Sequence, residues 1–325
     1  MENICKPASC LIQETIKENP IYDVFSGVSF LNEVAVRRAL WRGKPSRRSI
    51  MFKDDIKDVF NISSPSFDTY YQQAVSGKGN EITRIKTLHS SALLSLLCFS
   101  CISETSPITI IIEGRQVRFT SAKFEFDEGL VGIDQDGNSH YSNIDVMLVS
   151  DEGDIVLLLE SKFTEYLSWG KQTGISDVVY GRYYDEIKPV LDEMGLTYSH
   201  QVDKEGCKVR GYMNLEAIKG ATQVYAPGLK QMMSHTLGAS SYAKVKRSSK
   251  IYLASILYRF PSELDCGKLD NYVEAYRIWV KGLNRLSCKP SNLTVLDEPF
   301  YYQDVFVDSN AQFLPNRVKQ YYGFI

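Results

Sequence analysis

Two apolar stretches joined by a short acidic turn are the feature of this sequence that most restricts its fold. Residues 144–149 and 155–159 are rich in Ile, Val and Leu, and the four residues between 150 and 155 are Asp, Glu, Gly and Asp. A polar turn of this composition between two fully apolar runs predicts a β-hairpin whose strands are covered on both faces.

Charged residues nonetheless occur on both predicted strands, at Asp145 on the first and at Glu160 and Lys162 on the second. If the hairpin closes symmetrically about its turn, Asp145 lies directly opposite Glu160, with β-carbons about 4.5 to 5.5 Å apart. Strand alternation returns Lys162 to the face of Glu160 and turns Ser161 away. Buried acids need partners, and two carboxylates at this distance can hold one divalent cation.

This set of side chains suits the hydrolysis of phosphodiesters. A divalent ion held by Asp145 and Glu160 would polarise a phosphate and lower the pKa of a bound water. Lys162 would orient that water or neutralise the charge that develops in the transition state. The structural alternative is that Glu160 and Lys162 form an ion pair on an edge strand while Asp145 caps a loop.

The predicted elements around the hairpin give the order helix, several strands, helix, strand, helix. Helical spacing covers residues 82–97, 178–194, 229–239 and 264–286, and strand patterns cover residues 108–112, 117–119, 123–128 and 251–260. This order predicts an α/β or α+β fold with a central mixed β-sheet flanked by helices. We divide the chain into a partly helical N-terminal region (1–75), a core (76–260) and a C-terminal helical extension (261–325).

Charge and cysteine content exclude several classes of protein. The 37 Lys and Arg against 39 Asp and Glu leave a net charge of −2 over 325 residues, so a polyanion must be met by a local patch. The basic run between residues 37 and 53 is the best candidate, although a solvated basic face explains it equally well.

Residues 88–102 are too short and too polar to span a bilayer, and no secretory signal opens the chain, so we expect a cytoplasmic protein without a membrane segment. Seven cysteines argue against a disulfide framework, and we expect Cys98 and Cys101 to be buried thiols.

The motif and its setting resemble a known group of nucleases. Asp145, followed by Glu160, Ser161 and Lys162 at the end of the next strand, resembles the PD-(D/E)XK nuclease superfamily with its restriction-endonuclease-like core. Residues 88–92 (LHSSA), 160–166 (ESKFTEY) and 229–235 (LKQMMSH) are similar to an uncharacterised, restriction-endonuclease-like bacterial branch. The resemblance covers about residues 76–260, and Ile144 replaces the superfamily proline before the first acid.

The resemblance implies hydrolysis of DNA or RNA with Mg²⁺, for which Mn²⁺ can substitute. It makes Asp145 and Glu160 the metal ligands and Lys162 the catalytic lysine. Superfamily members usually add an acid from the first core helix. Glu81, at the start of the predicted helix, is our first choice, and Glu125, on the strand before the hairpin, is the rival. The structural alternatives are a first-turn helix acid for Glu81 and an exposed strand residue for Glu125.

Three polar residues after the motif are further candidates. Gln231 and His235 lie four residues apart, on one face of the predicted helix. Related nucleases often bring a glutamine from this helix toward the metal or the phosphate, so Gln231 is an accessory catalytic candidate. An isolated helical histidine such as His235 is more often packed or capping than a ligand. Glu165 either supports the site or begins a solvated helix.

The sequence therefore predicts a Mg²⁺-dependent nuclease, with DNA ahead of RNA as its partner. Cutting both strands with one site per chain would favour a homodimer. One alternative is a catalytically inactive, nuclease-like module that binds nucleic acid or protein and fails to bind metal. The other is a metal-dependent hydrolase of another phosphate ester, which would turn over small phosphodiesters but not plasmid DNA.

Overall fold

The computed structural model describes most of the chain from residue 90 onward and short segments before it. The described residues are 30–32, 50–52, 56–62, 65–76, 85, 90–133, 136–163, 165–167, 174–176, 181–202, 208–217, 228–260 and 267–324. Glu81 and most of the basic run between residues 37 and 53 lie outside them.

The strands, in chain order, are β1 Phe30–Asn32, β2 Ile50–Phe52, β3 Ile108–Ile112, β4 Arg115–Ile133, β5 Ser139–Ser150, β6 Ile155–Lys162, β7 Gly174–Ser176, β8 Leu196–Val202, β9 Lys208–Ala217, β10 Lys250–Leu257, β11 Leu293–Val295 and β12 Phe300–Tyr301. The α-helices are α1 Ile56–Phe60, α2 Pro65–Ser76, α3 Ser91–Phe99, α4 Tyr184–Glu193, α5 Leu229–Val245, α6 Lys268–Leu283, α7 Tyr302–Val305, α8 Asp308–Ala311 and α9 Asn316–Tyr322. Two short 3₁₀ helices span Glu165–Leu167 and Gly181–Tyr183.

A seven-stranded mixed sheet forms the centre of the fold. Its order is β11-β10-β6-β5-β4-β3, and β12 also pairs with β10. The pairs among β3, β4, β5 and β6 are antiparallel, whereas β10 runs parallel to β6, β11 and β12. Helix α3 contacts β5 and β6, and helix α5 crosses β4, β5, β10 and β11. The predicted class, a mixed α/β sheet flanked by helices, is confirmed.

The hairpin of β5 and β6 has the predicted register. Val146 pairs with Leu159 and Val149 with Val156, as symmetric closure about the turn requires. Ser150 closes the turn because its hydroxyl donates to Asp154 Oδ1 (2.8 Å) and accepts from the amide of Ile155 (3.0 Å). The apolar strand β6 lies between β5 and β10 and is buried along almost its whole length.

The helix that we predict over residues 82–97 is interrupted at Ser90, and α3 begins at Ser91. Ser90 has extended backbone angles and is the N-cap of α3, and its hydroxyl accepts a hydrogen bond from the Leu93 amide at 3.1 Å. A helix that runs without a break over residues 82–97 is therefore wrong, and the predicted start at residue 82 lies outside the described residues. A serine cap satisfies an amide that would otherwise lack a partner, and this fixes the first helical residue more strongly than apolar periodicity does.

Seven strands in the described part of the chain were not predicted from the sequence, namely β1, β2, β7, β8, β9, β11 and β12. Strands β7, β9 and β8 form a separate three-stranded antiparallel sheet within residues 174–217. Strands β11 and β12 come from the predicted C-terminal helical extension and join the central sheet, so residue 260 does not separate the sheet from that extension. Strands of two or three residues are too short to show periodicity, and their pairing depends on β10.

None of the helices within the described ranges combines the length and apolar character needed to cross a membrane.

Candidate functional site

Asp145 lies where strands β5 and β6 stop pairing. The last paired residues are Val146 and Leu159, so Asp145 and Glu160 occupy the next positions of the same register. In place of a ladder bond, Oδ2 of Asp145 accepts a hydrogen bond from the backbone amide of Ser161 at 2.7 Å. The strands therefore separate at the position where the two acids are placed opposite each other.

Glu160 and Lys162 form a buried pair on β6, with 2% and 5% of their surface exposed. The Lys162 Nζ donates to Glu160 Oε1 at 2.6 Å and to Gln231 Oε1 at 2.9 Å. Ser161 points to the opposite face, where its hydroxyl donates to the Ser91 carbonyl at 3.1 Å. Alternation along β6 thus places the acid and the lysine together on the face covered by α5. Because β6 is an internal strand, the alternative of an edge-strand ion pair does not hold.

His235 completes the contacts of Glu160. Its Nε2 lies 2.7 Å from Oε2 of Glu160, at an ion-pair distance but outside hydrogen-bond geometry. Its Nδ1 lies 2.5 Å from Oγ of Ser142 on β5. All three side chains are buried. The sequence favoured a packed or capping histidine over a ligand. The signal that could have indicated its contact with the site is its position one turn after Gln231, on the helical face that reaches Lys162.

Helix α5 brings these side chains to the sheet by a close approach of two backbones. A Cβ added to Gly238 would lie 2.6 Å from Ser142 Cβ and 3.0 Å from the Gly129 carbonyl oxygen, so only glycine fits. Gly238 lies three residues after His235, which places both on one face of the helix. Farther along that face, Tyr242 packs edge-on against Phe126. The glycine contact therefore sets the depth at which His235 meets Ser142.

Gly228 shapes the other end of this face, before the first turn of α5. Its φ of 56° lies in the left-handed region, which glycine adopts without strain. A Cβ at this position would lie 3.3 Å from Gln231 Oε1 and 3.7 Å from Lys162 Cε. The exposed Gln231 thus lies between this turn and the buried lysine, at the edge of the site.

The two acids have opposite electrostatic behaviour. Burial raises the pKa of Asp145 well above its usual value, the charges of Glu160 and Glu125 raise it further, and Lys162 opposes them. Burial alone would also raise the pKa of Glu160, but Lys162 and His235 hold it down to about 2. Burial would lower the pKa of Lys162, yet the charge of Glu160 keeps it above its usual value. Glu160 and Lys162 are therefore ionised at neutral pH, whereas ionisation of Asp145 is disfavoured relative to that of an aspartate in water.

Glu125 lies beside Asp145 in the ladder of β4 and β5. It falls between the pairs Phe124↔Val146 and Phe126↔Ile144, which makes Asp145 its neighbour across the strands. Its φ of 49° is left-handed, a conformation that costs a non-glycine residue about 1 to 3 kcal/mol and that clusters at functional sites. The structure thus brings Glu125 to the predicted site.

The donor set fits one mode of metal binding. No group of three or more His, Cys, Asp or Glu side chains within the described ranges could hold a metal ion on its own. Mg²⁺, however, usually keeps several waters and binds through one or two carboxylates together with a substrate phosphate. Asp145 and Glu160 suit that mode, because they occupy facing positions of one register at the point where β5 separates from β6.

Two other predicted features lie apart from these contacts. Glu165 accepts hydrogen bonds from the Ser91 hydroxyl (2.8 Å) and the Phe163 amide (2.7 Å), and so joins the end of β6 to the start of α3. Cys98 and Cys101 are free thiols at the end of α3. Burial raises the pKa of Cys98 well above its usual value and that of Cys101 to about 11. Cys98 is thus a buried thiol of the core, as predicted, whereas Cys101 is only half-buried and packs against the core.

Comparisons of the chain with protein-family models, with curated proteins and with solved structures find no match. The superfamily resemblance thus remains a prediction from the sequence, and the function has to be inferred from the geometry of the site.

Proposed function

We propose that this protein is a Mg²⁺-dependent phosphodiesterase that cuts nucleic acid, with DNA as the leading substrate, and that its sheet is a restriction-endonuclease-like core. One observation carries the proposal. Asp145 and the buried pair of Glu160 and Lys162 converge where β5 separates from β6. Carboxylates beside a lysine supply both the metal ligands and the positive charge that phosphodiester hydrolysis requires.

Each side chain has a role in this proposal. Asp145 and Glu160 would hold the ion, and Glu125 is the adjacent carboxylate best placed to assist them. When bound, the ion would polarise the scissile phosphate and lower the pKa of the attacking water. Lys162 would stabilise the negative charge that develops on the phosphate. Gln231, exposed and bonded to Lys162, would contact the substrate at the edge of the site.

A second candidate function is a nuclease-like module that binds nucleic acid or protein without cutting it. The observation that favours it is that both oxygens of Glu160 already have neighbours within the chain, Lys162 at 2.6 Å and the His235 ring at 2.7 Å. A metal ion would have to share an oxygen of Glu160 with one of these groups. The two functions differ in whether the protein binds Mn²⁺ or Mg²⁺ at all.

The decisive experiment incubates the purified protein with supercoiled, linear and single-stranded DNA and with RNA, in Mg²⁺ or in Mn²⁺. We expect nicking of DNA by the wild type and a loss of about 100-fold or more in Lys162→Met. The matched control is Lys188→Met, because Lys188 is an exposed helical lysine paired with Asp192 and should cut normally. Asp145→Asn, which keeps an oxygen that can accept from the Ser161 amide, is a second inactive variant should Lys162→Met fold poorly.

Three results would contradict the proposal. Equal nicking by the wild type and Lys162→Met would assign the activity to a contaminant. No binding of Mn²⁺ in a calorimeter, together with no cutting of any substrate, would favour the module. Turnover of a small diester such as bis-p-nitrophenyl phosphate without cleavage of any nucleic acid would favour a hydrolase of another phosphate ester.

A further inference from the structure

A buried chain of three side chains links strand β5 to the acid of β6 through helix α5. Ser142 Oγ lies 2.5 Å from His235 Nδ1, and His235 Nε2 lies 2.7 Å from Glu160 Oε2. Ser142 is 1% exposed, His235 3% and Glu160 2%. The proposed roles of Lys162 and Gln231 do not use this chain, so its presence at the site has to be explained separately.

Burial excludes a nucleophilic role for the serine. The order serine, imidazole, carboxylate is that of a hydrolase triad. However, Ser142 faces Gly238 so closely that a Cβ on that glycine would lie 2.6 Å from Ser142 Cβ. No substrate carbonyl or phosphate can reach the hydroxyl at this helix-to-sheet contact. His235 is enclosed in the same way and does not meet substrate.

The contacts of Glu160 indicate what the imidazole does. A carboxylate at the end of a strand can turn about its side-chain bonds, and Lys162 contacts only Oε1. His235 contacts the other oxygen, Oε2, and Ser142 holds the ring from behind. Groups in such outer positions orient the side chains that bind metal, and their removal typically costs about 10- to 100-fold in metal affinity.

We propose that His235, held by Ser142, is a positioning residue that fixes the Glu160 carboxylate in the orientation that binds the divalent ion and aligns Lys162. This inference rests on the proposed function, because it assigns the imidazole to the same site. His235 acts through Glu160 and touches neither substrate nor the reacting atoms.

The test measures Mn²⁺ affinity by calorimetry, together with kcat and KM on a duplex oligonucleotide, for a set of variants. His235→Leu removes both ring nitrogens, whereas His235→Gln retains a side-chain N–H that can reach Glu160. Ser142→Ala removes only the hydroxyl behind the ring. The matched control is Ser240→Ala, which removes another buried hydroxyl of α5, one that bonds Thr236 and not the site.

We expect Mn²⁺ affinity and kcat to fall about 10-fold or more in His235→Leu, with KM changed less than about twofold. His235→Gln should recover most of the affinity, and Ser142→Ala should show a smaller loss of the same kind. Because Ser142 acts only through the ring, adding Ser142→Ala to His235→Leu should produce no further loss. A purely structural role would instead lower the unfolding temperature of Ser142→Ala and Ser240→Ala alike and leave the affinity of the folded protein unchanged.

The outcomes separate this inference from the proposed function. Wild-type affinity and kcat in His235→Leu would overturn the positioning role while leaving the nuclease proposal intact. A wild type that binds Mn²⁺ and does not cut would overturn the nuclease proposal, and the affinities of the variants would still decide the role of His235. If His235→Leu does not fold, Ser142→Ala and His235→Gln provide the test. Wild-type Mn²⁺ affinity in Ser142→Ala together with lost affinity in His235→Gln would then overturn the positioning role.

Discussion

Replacing Glu160 by Gln should destabilise the protein by an amount that follows from its buried contacts. The fall in the pKa of Glu160 from its ordinary 4.5 to about 2 reflects interactions that favour its ionised form in the folded state. Each pKa unit is worth about 1.4 kcal/mol, so the ionised carboxylate contributes about 3 kcal/mol at pH 7. Breaking a buried ion pair by removing one partner costs about 3 to 5 kcal/mol, which agrees in size.

The pH dependence gives this prediction a second test. Because the folded pKa is depressed, the stabilisation is present above pH 4.5 and is lost as the pH falls toward 2. By pH 3 less than about half should remain. Urea unfolding of the wild type and of Glu160→Gln at several pH values measures the difference directly, without added metal.

The control for this measurement is Glu193→Gln, an exposed glutamate at the end of α4. Its free energy of unfolding should lie within about 0.5 kcal/mol of wild type, as for most surface substitutions. A Glu160→Gln protein as stable as the wild type at pH 7 would refute the reasoning. So would a difference that persists unchanged down to pH 3.

Three further predictions concern other parts of the molecule. Because the pKa of Asp145 is raised, its ionisation destabilises the folded protein as the pH rises above 3.8, the ordinary pKa of an aspartate. Asp145→Asn should therefore have a higher melting temperature than the wild type at pH 7 in EDTA, and a lower one would contradict this. Gly238→Ala should lower the free energy of unfolding, because the new Cβ would lie 2.6 Å from Ser142 Cβ. Overpacking costs about 1 to 3 kcal/mol, which exceeds the gain of about 1 kcal/mol from the higher helix propensity of alanine. A more stable variant would show that α5 does not approach the sheet so closely. Cys98 and Cys101 should resist alkylation at pH 8 until the protein is denatured, because burial raises both pKa values, and mass spectrometry of their peptide after iodoacetamide treatment checks this.

Local periodicity was sufficient to predict much of the site. The two-residue repeat of a strand explains the hairpin register, the shared face of Glu160 and Lys162, and the opposite orientation of Ser161. The four-residue spacing of Gln231 and His235 likewise predicts one helical face. These relations depend on residues close in sequence, so the order of side chains is enough to determine them.

The start of α3 is set by a local signal, the Ser90 cap, which apolar spacing does not reveal. Other features depend on segments distant in sequence. The short strands β11 and β12 have no periodicity of their own and form because β10 offers them a parallel edge. The placement of Glu125 beside Asp145 requires the register of β4 with β5, across a long and bulged ladder.

By itself, then, the sequence determined which side chains share a strand face or a helix face, and this was enough to predict a pair of acids beside a lysine. Only the tertiary structure decided that His235 meets Glu160, because Ser142 and His235 are 93 residues apart and come together through the approach of Gly238 to Gly129. The physical reason is that faces follow from the fixed geometry of one element. The distance between two elements depends instead on which side chains are small enough, at the crossing point, to let the backbones approach.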